Sequence, residues 1–143
     1  MKKYLFPILF CFMGNCIMAA PKKISLTKPT SPDPVKKIVK AIAKANVYEL
    51  RAVNNIAKPA TQQSLRFQDL LKVATVENLT KLATKNKNAV VRLYAYKALI
   101  NKLKDIPIDV VHQFNNDTTL VHTLEGDTAG QVPLNSIAKG LLY

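Results

Sequence analysis

The stretch Asn88-Ala89-Val90-Val91-Arg92-Leu93-Tyr94-Ala95-Tyr96-Lys97-Ala98-Leu99, running on to Leu103, decides how the chain is read. Val91, Ala95, Ala98, Leu99 and Leu103 recur at steps of three and four, so they share one face of a helix. Asn86-Lys87-Asn88 reads as a polar turn ahead of that face. The spacing predicts a helix over 89–104, the most strongly patterned one in the chain. Tyr94 and Tyr96 are two apart and point to different sides. Tyr94 reads as the rim of a core, and Tyr96 as a residue open to a binding surface. Lys97 is expected to be exposed.

Working upstream, Thr75 fits an N-cap for a short helix carrying Val76, Leu79, Leu82 and Ala83. Phe67, Leu70, Leu71 and Ala74 make a stripe for a helix near 62–74. Asp33-Pro34 has the order of an N-cap and first helical residue. Val35, Ile38, Val39 and Ile42 follow on one face. Leu50, Val53, Ile56 and Ala57 stay in phase with them, so the reading is one helix from 34 to 57, or two with a joint near 47. Lys58-Pro59 stops it.

Downstream, Asp105 and Pro107 restart the chain into a helix with Val110, Val111 and Phe114. Leu120 to Leu124 is rich in Thr and Val and suits a strand or an extended segment. Glu125-Gly126-Asp127 and Ala129-Gly130 read as turns. Leu134 to Tyr143 suits a last helix, weakened by Gly140. The expected fold class is all-α: short antiparallel helical pairs, as a HEAT-like α-solenoid fragment or an irregular helical bundle.

The segment 88–99 resembles the second helix of a HEAT repeat. That helix commonly has Val-Arg, then Ala three residues after the Arg, then Ala-Leu, and here these are Val91-Arg92, Ala95 and Ala98-Leu99. The Thr75–Ala83 segment has the size of the first helix of the pair. The match covers Thr75 to Leu103, with Lys87-Asn88 where the repeat usually has Asp-Pro. The resemblance implies an α-helical binding or scaffold module with no defined chemistry. It also implies a structural role for Arg92 near the turn, with Glu77 and Asp69 as candidate acids.

The N-terminus has the order of an export signal. Met1-Lys2-Lys3 is cationic, Tyr4 to Met13 is almost wholly apolar, and Ala19-Ala20 are small. The expected organisation is a signal peptide at 1–19, a Pro-rich linker at 20–33 with Pro29 and Pro32, and a helical domain at 34–143 that opens on Pro34. The expected location is periplasmic or secreted. Lipidation at Cys16 is the weaker alternative, because Asn15 stands where a lipobox needs a small residue. Cleavage after Ala19 also removes Cys11 and Cys16, the only two cysteines, and with them any thiol chemistry.

The 143 residues carry 21 Lys/Arg against nine acids, a formal charge of +12. The charge is uneven. Residues 20–66 hold +8, residues 67–104 hold +6, and residues 105–143 hold −4. Such asymmetry speaks about partners and not about fold. Lys36, Lys37, Lys40 and Lys44 lie opposite Val35, Ile38, Val39 and Ile42, the layout of a basic amphipathic helix. They are the candidate anion-binding residues. No aromatic residue is interleaved with them, so specific nucleic-acid binding by base stacking is not expected.

Sites for chemistry are scarce. His112 and His122, with Asp109, Asp117, Glu125 and Asp127, are the only metal-capable group, and their spacing matches no paired-histidine motif. Asp109 and His112 would share a helix face, which suits an acid–base pair; a helix-terminal His beside a polar acidic loop accounts for the same residues. Asp117 to Asp127 lacks the alternation of a calcium loop, and Gly126 to Gly130 is not followed by the Lys-Ser/Thr of a phosphate loop. The sequence therefore points to a protein that is not an enzyme and binds no cofactor or metal. Its leading role is a protein-binding or scaffold module. The alternative is a basic protein that binds an anion or a membrane surface, with anionic lipid or polysaccharide as partner.

Overall fold

A computed structural model describes residues 33–51 and 60–142, within a unit spanning Ser31–Tyr143. The described elements are α1 (Pro34–Ala45), β1 (Tyr48–Arg51), α2 (Gln62–Val73), α3 (Val76–Lys85), α4 (Ala89–Lys102), α5 (Ile108–Asn116), β2 (Leu120–Glu125), β3 (Thr128–Pro133) and α6 (Leu134–Leu142). The proposed signal peptide at 1–19, both cysteines and the linker as far as residue 32 lie outside the described residues. So do Val53, Ile56 and Ala57.

Most helix starts follow from short polar side chains. Asp33 accepts from the Val35 N–H at 3.0 Å, with Pro34 as the first helical residue. Thr61, Thr75 and Asn88 accept from the N–H groups of Ser64, Asn78 and Val91 in the same way. Each side chain satisfies a donor that the first helical turn leaves without a partner.

The expected all-α class is wrong: the fold mixes helices with a three-stranded sheet of order β1-β2-β3. β1 runs parallel to β2, with Tyr48 opposite Thr123 and Glu49 opposite Leu124. β2 and β3 form an antiparallel hairpin, with His122 opposite Gln131. Gly126 opens the hairpin loop at φ 61°, a left-handed value that glycine adopts at little cost. Val121 and Thr123 point into the core, while Leu120 and His122 point out. That is the two-residue alternation of a sheet with one covered face.

The helix expected over 34–57 ends at Ala45. Asn46 closes it in the left-handed conformation, φ 50°, and its N–H donates to Ile42 O. Asparagine tolerates that backbone better than most residues. The chain then leaves the helix axis, and Tyr48 and Leu50 enter a strand. Leu50 kept the helical phase of α1 but lies in the strand, and Tyr48 is buried against Tyr94 of α4.

Helix α4 is the centre of the fold and packs against α1, α2, α3, α6, β1 and β2. Eight of its 14 residues are buried. They include Val91, Ala95, Ala98 and Leu99, as the stripe requires, and also Val90, Leu93, Tyr94 and Tyr96 from the other sides. The small side chains of Ala95 and Ala98 let neighbours approach closely. The sheet covers part of the helix that a simple pair of helices would leave in water. Tyr96 is fully buried on another side, stacked on Phe114 of α5 at 4.1 Å, and not open to a surface.

Candidate functional site

Helix α1 separates its two faces cleanly. Val35 and Ile42 are buried, and Ile38, Val39 and Ala43 pack against the core. Lys36, Lys37, Lys40 and Lys44 are all exposed, and none makes an ion pair among the described residues. Lys36, Lys40 and Lys44 stand one turn apart, and Lys37 flanks the row. Their ammonium groups are hydrated point charges without fixed geometry. The apolar face that a membrane-surface helix would insert is already occupied by protein.

The end of this row meets a second basic segment. Asn88 Nδ2 donates to Asn46 Oδ1 at 2.9 Å, while Asn88 Oδ1 caps α4. Asn46 lies two residues beyond Lys44, and Asn88 directly follows Lys87. The pair thus brings the α3–α4 turn, with exposed Lys85 and Lys87, to the C-terminal end of the α1 row. Sequence reading singled out the row but not its continuation, because a contact across 42 positions leaves no local pattern.

Arg92 meets the α3–α4 turn and an acid that is neither of the two expected. Its Nη1 donates to the carbonyls of Asn86 and Lys87 at 3.1 and 3.3 Å, tying down the α3–α4 turn. Its Nη2 meets Asp117 Oδ2 at 2.6 Å. Neither Glu77 nor Asp69 is the partner: Glu77 is exposed in the first turn of α3, and Asp69 pairs with Lys72 at 3.9 Å. Asp117 also accepts from the Thr119 N–H, and its carbonyl accepts from Asn135 N–H at the start of α6. Burial pushes the Asp117 carboxyl up, but the hydrogen bonds from Thr119 and Arg92 outweigh it, and the group sits below its ordinary 3.8.

Lys97 is not the exposed residue the sequence suggested. It is half-buried, with its Nζ 5.0 Å from the Phe67 ring centroid and 6.0 Å from that of Tyr48. Burial holds its ammonium below lysine's ordinary 10.5, and the Glu49 carboxylate opposes that effect. Tyr48 and Phe67 flank Tyr94, with centroids 4.9 and 5.8 Å away. The Tyr94 hydroxyl accepts from the Glu49 N–H at 3.3 Å, and burial pushes that hydroxyl up to about 12. Glu49 in turn accepts from Thr61 Oγ1 at 2.7 Å, and Gln63 donates to Val47 O. These contacts fasten β1 to α2 and α4.

The histidines do not come together with the acids. Among the described residues no three His, Cys, Asp or Glu side chains are placed to hold a metal. His112 lies exposed on α5, and His122 lies on the outer face of β2, where its Nδ1 is 3.4 Å from Gln131 Nε2. No described helix is long and apolar enough to cross a membrane. No protein-family model, curated protein or solved structure matches the chain.

Proposed function

We propose that this protein is a noncatalytic binding module whose ligand is an anionic partner held on the outer face of α1. One observation supports the reading above the rest: four exposed lysines on one helix make no ion pair among the described residues, while the opposite face of the same helix packs in the core. A protein-binding scaffold of stacked helical pairs has less support, because β1, β2 and β3 occupy space that a continuous helical array would fill. Insertion into lipid has less support too, because Val35 and Ile42 are inside.

The test is retention on a sulfonated matrix and on an immobilised polyanion at matched ionic strength. The triple variant Lys36→Glu, Lys40→Glu, Lys44→Glu is compared with Lys72→Glu, Lys102→Glu, Lys139→Glu, which has the same net charge. A much larger loss of polyanion retention for the α1 variant supports the reading. Equal losses would mean that net charge alone governs binding.

A further inference from the structure

Resting on that reading, we propose that the α1 row and the α3–α4 turn form one elongated site for a linear acidic polysaccharide, with the Asn46–Asn88 pair setting its register. Lys36, Lys40 and Lys44 rise along α1 by about 6 Å per step, four residues at about 1.5 Å each. This makes a row of cations and not a bowl around a single headgroup. The Asn88 Nδ2 to Asn46 Oδ1 hydrogen bond sets Lys87 and Lys85 beyond the end of that row. A ligand touching all five lysines must therefore be extended and charged at repeated intervals.

Chemistry narrows the class. The row contains Lys and no Arg, so it reads charge spacing and not the bidentate geometry that a phosphate monoester would reward. No aromatic ring lies on α1 or in the 86–88 turn, and Tyr48, Tyr94, Tyr96 and Phe114 are buried, so along these two segments bases have nothing to stack on. The inward apolar face of α1 leaves nothing to anchor in a bilayer. A polymer of uronate or sulfated sugar carries its anions along a flexible, extended backbone and needs neither stacking nor insertion.

Asn46 is the positioning residue. Its left-handed backbone turns the chain out of α1 while its side chain holds the second segment in place. Asn46→Gly keeps a residue at ease with φ 50° and removes the bridging oxygen.

The experiment is calorimetric titration of the full chain with polygalacturonate fragments of defined length, repeated over a range of salt concentrations. Fragments of eight units are expected to bind and single galacturonate is not. The logarithmic salt slope is expected to fall by about two when Lys85 and Lys87 are both changed to Glu, with affinity lowered about tenfold, because each cation in contact releases counterions. Asn46→Gly is expected to lower the slope by about one, with an unchanged melting temperature. Lys72→Glu with Lys139→Glu is the charge-matched control. If the Lys85/Lys87 variant only matches that control, the extension is wrong, whatever α1 does. If the α1 triple variant also matches its control, the binding reading itself fails. Binding to anionic vesicles or to single-stranded DNA but not to the fragments would overturn the polysaccharide assignment.

Discussion

Arg92 and Asp117, 25 positions apart, meet at 2.6 Å with side chains only 12% and 18% exposed. The guanidinium stands in the first turn of α4, where the helix dipole disfavours a cation. It is held there by two turn carbonyls and one carboxylate. The carboxylate belongs to the loop that accepts the first N–H groups of α6. One side chain thus joins the end of α3, the start of α4 and the start of α6. Arg92→Ala is expected to destabilise the fold by about 1–3 kcal/mol, the range for losing a charged, partly buried hydrogen-bonding group. Arg92→Lys is expected to recover little, because one ammonium cannot reach the carbonyls and Asp117 together. Urea melts of both variants measure this, and a negligible shift for Arg92→Ala would reduce the contact to surface decoration.

The same pair predicts acid sensitivity. The Asp117 carboxyl is lower in the folded state than its ordinary 3.8. Its contribution is therefore complete above that value and is lost as pH falls through the folded value. Asp117→Asn is expected to be less stable than the parent at pH 7, with the gap closing as pH falls below about 4. Thermal melts from pH 7 to pH 2 decide it. A gap that stays constant across that range would show that the charge of Asp117 does not matter.

Tyr96 is fully buried, and its hydroxyl has no hydrogen-bond partner among the described residues. Tyr96→Phe keeps the stack on Phe114 and removes a polar atom whose burial costs about 1–3 kcal/mol when unpaired. The variant is expected to be as stable as the parent or more so. Tyr94→Phe is the contrast, since that hydroxyl accepts from the Glu49 N–H, and its loss is expected to cost about 1 kcal/mol. Side-by-side denaturant midpoints separate the two tyrosines. The accounting fails if Tyr96→Phe is the more damaging change.

Lys97 is expected to matter through its stem. The half-buried side chain ends with its Nζ 5.0 Å from the Phe67 centroid and 6.0 Å from that of Tyr48, so Lys97→Ala is expected to cost about 1 kcal/mol through lost packing of the buried stem. Lys97→Met keeps the length and removes a charge that burial disfavours. It is expected to match or exceed the parent at pH 7. Because the lysine is held below 10.5 in the fold, that advantage shrinks as pH rises through the folded value and is gone above 10.5, where the residue is neutral in both states. Stability measured at pH 7 and pH 11 for the three proteins checks both the size and the direction.

The helices were legible where a cap and an apolar stripe agreed. Asp33 and Thr75 announced α1 and α3, and each side chain caps as its type suggests, while Asn88, read as part of a turn, caps α4. The sheet was legible in part. Val121 and Thr123 gave β2 the look of an extended segment, but β3 combines Gly130 and Pro133 with four exposed positions, so it has no apolar alternation to read. β1 was hidden because Leu50 is in helical phase with α1, and the left-handed Asn46 breaks the run. Of the candidate site, the lysines of α1 were visible from their spacing. Lys85, Lys87 and the Asp117 partner of Arg92 were not, because each depends on chain segments that only the completed fold makes neighbours.

The parallel pairing of β1 with β2 has a kinetic consequence. The two strands are separated in sequence by all of α2, α3, α4 and α5, so their ladder closes a long loop, whose entropy must be met before the strands reward it. Helical pairs such as α3 with α4 need only a short turn and can form early. The edge strand near the N-terminal side of the fold therefore waits for the acidic C-terminal third to be present. In a chain made from its N-terminus onward, β1 is a strand without a neighbour until β2 has been added. Its amide protons would exchange freely through most of synthesis and become protected last.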